Sequence, residues 1–551
     1  MPSDGPEELG SKIHRIIGIA LSDEQLTELL DLKPLTTQNL NRFFNVKARV
    51  QLKKGQAGHI LQALHVPSVR PSAAFDSSIA APPHAADPDL AALATEEGRT
   101  FARTLREVLH EVHFDQVNRE LRLPRFGGDY EIRPFPLPTS PVDKHEMKVR
   151  LRSAVKSSRT TGDATLSRRM HQAFSFFMFG QSLPAPALDE LFGGARQLAI
   201  QQAFALGLFV NAEGQSVRMN ELSLFSRQTS RGDIVHLLAD TPPQFETRAA
   251  TQRVYAGADS YELMDRVAEL EQVSGYCVEM GSGSGIQLIA ALKRFPAITS
   301  AIGLERDRRA MHVSLFNAAL NGVDDRLVVV NDDEGLRRAL GGHPVSFAMS
   351  NPPFIAVPRW IDIDLEDRPS LSGLMDIREV GQQSQGDLRS LFPAAGWGGE
   401  DGLEVTRAFV ETLVPLLAVG SQTVIYSQFA GDLAGPRAFH DYIQRQGTLR
   451  FAFESVKSRT LFVKQPETDR IVEGQNQKVL SADEVARSVA RLIMAAQLAK
   501  QEPRLRVSVR TGGPQHVLLM KYARRIEESY RQQGITHFHD GFVWLTREPT
   551  R

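Results

Sequence analysis

Apolar and polar positions alternate along this chain in two rhythms, and the change of rhythm divides it. Between 9 and 65 the apolar residues fall at helix spacing: Ile13, Ile16, Ile17, Ala20 and Leu21 share a stripe, and Ser22 stands three residues before Gln25 as a capping box for Leu26, Leu29 and Leu30. Pro67, Pro71, Pro82, Pro83 and Pro88 then fall among Ala and Ser, a composition that sustains neither helix nor ladder and reads as a linker. From 90 to 123 the helical stripe returns, with Phe101, Leu105, Val108, Leu109, Val112 and Phe114. Short helices at 188–192 and 196–206 precede extended runs at 208–210 and 216–219, separated by a turn at 211–214, a winged-helix pattern. A further strand is expected at 233–238, and a helix at 260–270 with Ser260 as its N-cap.

Beyond 245 strands and helices alternate. Extended runs at 276–280, 301–305, 327–330, 345–349 and 422–427 are interleaved with helical patterns near 286–294, 307–321 and 403–417, which predicts an α/β, doubly wound Rossmann-like sheet with right-handed crossovers. Later extended segments at 450–455, 505–509, 516–521 and 537–546, with a helix at 482–500 among them, would complete that sheet. The expected organisation is a helical N-terminal module (1–66), a linker (67–89), an α-rich domain with a small winged-helix-like unit (90–244) and the sheet domain (245–551).

Composition narrows the partners. With 64 Lys plus Arg against 65 Asp plus Glu, the whole chain offers no bulk attraction to nucleic acid or anionic membrane. A local basic run remains at 144–169, with Lys148, Arg150, Arg152, Lys156, Arg159, Arg168 and Arg169, so RNA stays a partner to consider. No apolar stretch reaches the roughly 18 residues of a membrane span, and Asp4, Glu7 and Glu8 break the order of a signal peptide. Cys277, the single cysteine, excludes an internal disulfide framework. A cytoplasmic protein with no membrane partner is expected. His537, His539 and Asp540 sit at strand spacing, but no third ligand motif lies near, and no metal is predicted.

The candidate chemistry lies between 278 and 354. Glu279 ends a strand and is followed by Gly281, Ser282, Gly283 and Gly285 before an apolar helix, a turn that lets a ligand approach bare backbone. About 20 residues on, Glu305 ends the next strand, where a carboxylate accepts the hydroxyl protons of a ribose. An acid at 279 would repel a pyrophosphate and suits the cationic end of S-adenosyl-L-methionine. Asp332, or its neighbours Asn331 and Asp333, would accept from the adenine amino group. At the end of the fourth strand stand Asn351, Pro352, Pro353 and Phe354. The Asn351 amide oxygen and a proline-fixed carbonyl accept hydrogen bonds from an N–H₂ group, and Phe354 offers a flat face to a planar acceptor.

Together, 278–354 resembles the class I S-adenosylmethionine-dependent methyltransferases of the branch whose fourth-strand motif is Asn/Asp-Pro-Pro-aromatic. Gly396-Trp397-Gly398-Gly399-Glu400-Asp401-Gly402-Leu403 is similar to the Gly-Gly-x-Asp-Gly-Leu segment of the protein-glutamine methyltransferases, and Tyr255-Ala256-Gly257-Ala258-Asp259-Ser260 more loosely resembles their segment before the first strand. The resemblance implies that Glu279, Gly281, Ser282, Gly283, Gly285, Glu305 and Asp332 contact the cofactor, and that Asn351 to Phe354 clamp the acceptor. Phe354 in place of Tyr and the long segment before Gly396 depart from the glutamine enzymes, while Phe in this position is familiar from ribosomal-RNA guanine methyltransferases. The expected function is therefore N-methylation of a planar nitrogen on a small molecule or protein side chain. The alternatives are a base nitrogen of rRNA or tRNA, and use of the cofactor for regulation or a non-methylating reaction.

Overall fold

The computed structural model describes residues 90–115, 164–240, 254–358, 398–456, 461–464, 471–474, 479–490 and 514–549, apart from single positions 179, 194, 195, 213 and 255, all within the compact unit His84–Arg551. The expected helical module, the linker, most of the basic run and the expected strand at 505–509 lie outside the described residues.

A strand buried on both faces needs an almost unbroken apolar run rather than alternation. Such runs form β6 (Gly275–Met280), β7 (Ile298–Leu304) and β9 (Val345–Ser350), while β8 (Leu327–Val330), also apolar, is the sheet edge and leaves Val328 exposed. They are linked by α6 (Ile286–Arg294), α7 (Arg308–Asn321) and α8 (Asp333–Leu340). Every residue of α6 from Ile286 to Leu292 is buried, which places this helix inside the core. Asp307 and Asp332 cap α7 and α8 by accepting the Ala310 and Gly335 amides.

After these come α9 (Glu404–Leu413), β10 (Leu417–Gly431), α10 (Arg437–Gln446), β11 (Leu449–Ser455), a separate hairpin of β12 (Leu461–Lys464) and β13 (Ile471–Gly474), and β14 (Val479–Ser481). Residues 482–490 are helical, and the chain ends in helix α11 (Pro514–Gln532) and strand β15 (His537–Arg547). The strand order is β11-β15-β10-β9-β6-β7-β8, with β14 paired to β15. β6 pairs in parallel with both β7 and β9, while β15 runs antiparallel between β10 and β11. The order reverses between β6 and β9, the place where open α/β sheets bind ligands. This is the doubly wound Rossmann-like class I methyltransferase fold.

Successive strand residues feed opposite cores. Cys277, Phe347, Met349 and Tyr426 pack on one face, and Val278, Ile302, Ala348 and Ile425 on the other. Burial pushes the Cys277 thiol up to about 12, so it behaves as a small hydrophobe.

Upstream, α1 (Glu96–Glu111) lies against α7, with Phe101 stacked on Phe316 at 6.3 Å. Next come α2 (Ala164–Ala173), β1 (Leu183–Pro184), α3 (Ala185–Leu191), α4 (Gln197–Ala205), β2 (Phe209–Ala212) and β3 (Ser216–Met219). Their sheet order β1-β3-β2 is that of a winged helix. Phe209 is its centre, edge-on to Phe176, Phe192, Phe204 and Phe101.

Several expected elements differ. Residues 516–521 are not a strand but part of α11, where Tyr522, Ala523, Ile526 and Tyr530 are buried at helix spacing while Val517 faces solvent. A four-residue apolar run cannot by itself separate the two periods. The strand expected at 233–238 is β5 (Ile234–Asp240), and its partner β4 (Leu222–Gln228) carried no alternation to announce it. The helix expected at 260–270 is α5 (Ala258–Ala268); it begins earlier, so Ser260 stands inside the first turn and accepts the Gly257 N–H at 3.3 Å.

Candidate functional site

Two turns leave the carboxyl edge of the sheet side by side. Met280 of β6 is paired with Ser350 of β9, and Ser350 Oγ donates to the Met280 carbonyl at 3.0 Å. Gly281 and Asn351 are the next residues on these neighbouring strands.

In the first turn Gly281 and Gly285 have φ of 68° and 79°, a region costly for any residue with a Cβ. A Cβ built on Gly281 meets nothing within 4 Å, so open space adjoins the turn. The Gly283 N–H donates to Glu305 Oε2 at 2.8 Å, and the Asp307 N–H to Oε1 at 2.9 Å. Burial raises the Glu305 pKa, and these two amides oppose it. Ser282 is buried, with its Oγ under β7, 2.6 Å from where a Cβ on Gly303 would sit, so its side chain spaces the turn from the strand. The turn is braced from below: Asn317 Nδ2 donates to the Ser284 carbonyl at 2.9 Å, and the same amide accepts from Leu238 N and donates to its carbonyl.

Glu279 is the electrostatic anomaly. It is fully buried, and neither carboxylate oxygen has a partner of normal hydrogen-bond geometry. Burial and then the neighbouring Glu305 charge hold its carboxyl well above the usual range, with the Leu288 backbone N–H opposing. An unpartnered buried acid calls for a proton or a cation. Asp332 lies just past β8, exposed, with Oδ1 taking the Gly335 N–H at 2.6 Å as the α8 cap. The backbone at Glu305 and Val330 is joined by a 2.8 Å hydrogen bond, so Glu305 and Asp332 follow neighbouring strand ends.

In the second turn, Asn351 Nδ2 donates to Asp259 Oδ2 at 2.9 Å and to Ser260 Oγ at 3.3 Å, while its Oδ1 is buried without a partner. Pro352 is buried, Pro353 and Phe354 half-buried. Phe354 meets Tyr426 edge-on at 6.2 Å, and Tyr426 meets Phe542 at 5.3 Å. Beneath the clamp the glycine-rich loop lies flat: Gly398 N donates to Ile355 O at 3.0 Å and Val357 N to Gly399 O at 2.8 Å. A Cβ on Gly398 would come within 2.7 Å of Pro353 O, Phe354 Cα and Gly402 O, so only glycine permits this approach. From α11, the buried Tyr530 donates its hydroxyl proton to Ala356 O at 2.5 Å.

The fold therefore brings Glu279, Gly281, Ser282, Gly283, Gly285, Glu305, Asp332 and Asn351 to Phe354 to one edge. Nothing in the sequence by itself singles out Asp259, Tyr426 or Tyr530 as site residues. Asp259 lay within a segment singled out by resemblance, whereas Tyr426 and Tyr530 carry no local signal. The described end of the basic run is occupied: Arg168 pairs with Glu190 at 2.7 Å and Arg169 with Glu111 at 2.9 Å. On α4 the exposed Gln197, Leu198 and Gln201 are uncharged. His539 Nε2 lies 2.6 Å from the Asp432 carbonyl, and Asp540 accepts from Gln428 at 2.8 Å. Among the described residues no helix is long and apolar enough to cross a membrane.

No family model matches the chain, and no curated protein matches it. Solved structures do. TomG, an O-methyltransferase from Streptomyces achromogenes involved in tomaymycin synthesis, shares 11% identity over 54% of this chain and 82% of its own, with a TM-score of 0.25. The precorrin-6y C5,15-methyltransferase from Geobacter metallireducens shares 12% over 42% and 88%, with a TM-score of 0.22. The cyclase SpnF shares 12% over 56% and 85%, with a TM-score of 0.27. The fold assignment rests on the strand order β11-β15-β10-β9-β6-β7-β8, that of the class I methyltransferase fold.

Proposed function

We propose that this protein is an S-adenosylmethionine-dependent N-methyltransferase acting on a planar nitrogen, amide, guanidine-like or heteroaromatic, of a small molecule or protein side chain. The observation that carries this reading is the departure of the glycine turn and of Asn351 from the paired positions Met280 and Ser350. Neighbouring strands are about 4.8 Å apart, so groups held by the two turns stand within reach of a bond-forming contact.

The residues present fit the cofactor. Glu279, buried and unpartnered, would take its cationic end; Gly281 to Gly285 leave the backbone open; Glu305 keeps lone pairs for ribose hydroxyls beyond its two N–H contacts. Asp332 would receive the adenine amino group. S-adenosylmethionine, when bound, supplies an electrophilic methyl group on a sulfonium. The Asn351 oxygen and the Pro352 carbonyl accept the N–H bonds of the acceptor and aim its nitrogen lone pair, and Phe354 packs on its plane. A neutral amide orients rather than deprotonates, so positioning carries the rate.

The test is incubation of the full chain with methyl-labelled S-adenosylmethionine and separated protein, RNA and small-molecule pools of a cell extract. Label is expected in the protein or small-molecule pool and lost in Asn351→Ala with the cofactor still bound. Label in RNA would move the acceptor to a base nitrogen, and cofactor binding without label in any pool would overturn the transferase reading.

A further inference from the structure

The Asn351 carboxamide has two ends of opposite polarity, and a site that reads an acceptor nitrogen works with only one of them outward. The end facing α5 is fixed by chemistry. Asp259 Oδ2 lies 2.9 Å away, and an ionised carboxylate only accepts, so the group against it is the NH₂. Ser260 Oγ, 3.3 Å from the same nitrogen, also receives the Gly257 N–H and so offers lone pairs on this side as well. The Asp259 carboxylate rejects the amide oxygen, and Ser260 is compatible with the NH₂. The oxygen is turned the other way, buried and without a partner. A buried carbonyl oxygen in that condition lacks a donor that a ligand N–H would supply.

We infer that Asp259 is a positioning residue that sets the polarity of Asn351 and thereby restricts the acceptor to groups presenting an N–H donor. The inference rests on the methyltransferase reading for the nature of the ligand, but not for the orientation itself. Hydrogen-bonding the NH₂ to a charged partner also draws electron density toward Oδ1, which strengthens it as an acceptor. Reversing the amide would present NH₂ instead and select a carbonyl or an imine nitrogen. Sequence separation hides this arrangement, since the partners stand 92 positions apart.

Two measurements separate this role from general support of α5. In protein labelled with ¹⁵N-asparagine, the Asn351 side-chain NH₂ pair is the one missing from Asn351→Asp. It is expected downfield and at least tenfold slowed in solvent exchange, both lost in Asp259→Ala; an NH₂ pair indifferent to Asp259→Ala overturns the orientation. The second measurement is methyl transfer from labelled S-adenosylmethionine to whichever extract pool the wild-type protein labels. Asp259→Ala is expected to lower it about 10- to 100-fold with cofactor affinity unchanged. Asn351→Asp alone sets two carboxylates together and is expected to fall as far. The double variant Asn351→Asp/Asp259→Asn restores the contact with donor and acceptor exchanged and still presents an oxygen outward, so transfer returns to within about tenfold of wild type. No recovery in a double variant that melts and binds cofactor like wild type overturns the proposal. If the wild-type protein labels no pool, the transferase reading fails by itself, and the exchange measurement still decides the orientation.

Discussion

The two turns at the sheet edge are built in different ways. The glycine turn and Glu305 are local: strand, turn, helix and next strand follow within about 30 residues, and the partners of Glu305 are Gly283 and Asp307. The Asn351 turn is assembled from afar. Asp259 reaches it across 92 residues of chain, Tyr530 braces Ala356 across 174, and the Gly398 loop lies beneath it. A local device depends on its own backbone, whereas an assembled one depends on every element that meets there. The two halves should therefore fail separately.

The largest separation is expected from Gly398→Ala. Its Cβ would strike three backbone-level neighbours at 2.7 Å, shifting Phe354 and Pro353. Methyl transfer should fall about 100-fold or more with cofactor affinity kept within about threefold, measured by label transfer beside calorimetric binding. Loss of cofactor binding in this variant would mean that the halves are not independent.

Glu305→Ala should show the reverse. It strips the partners from two backbone amides and removes the ribose acceptor, about 2 kcal/mol or about 30-fold in cofactor affinity. Equilibrium binding of S-adenosylhomocysteine reads this directly, and an unchanged affinity would remove Glu305 from the cofactor site.

Glu279→Gln sharpens the electrostatics of the same half. With its folded pKa raised by burial and by Glu305, Glu279 favours the folded state fully below the ordinary carboxylate range, and that contribution is lost as pH rises through the folded value. The cofactor-free wild-type protein should therefore lose melting temperature between pH 5 and 8 relative to Glu279→Gln. With the charge gone, affinity for the cationic cofactor should drop about tenfold at pH 8. Parallel melting profiles would show that folding does not raise the Glu279 pKa.

The smallest effect belongs to Tyr530→Phe. Losing the hydroxyl leaves the Ala356 carbonyl without its donor, about 1 kcal/mol of stability and a few-fold in transfer, with cofactor affinity unchanged. Denaturant unfolding and label transfer measure both, and an equal loss of cofactor affinity would merge the two halves.

The same contrast explains what could be read in the sequence. Cys277, Val278, Ile302 and Met349 stand in apolar runs of strand length, and the strands there fall within a few residues of expectation. Glycines with positive φ and Glu305 at a strand end announce their turn because their reasons are local. Asp259 had no such announcement: an acid in the first turn of a helix fits the helix dipole whatever else it meets. Tyr530 lay beside a segment read as extended, because Val517, Leu518, Leu519 and Met520 form an apolar run too short to show its period. The unit upstream is legible as helices and a hairpin, but β4 is not, because the polar Ser223, Ser226 and Arg227 occupy buried positions and break its apolar run.

The most direct test of the account is Asn351→Ala, measured for cofactor affinity and methyl transfer on the same preparation. Affinity is expected within about threefold of wild type and transfer reduced at least about 100-fold. Transfer at the wild-type rate, with the cofactor still bound, would contradict it.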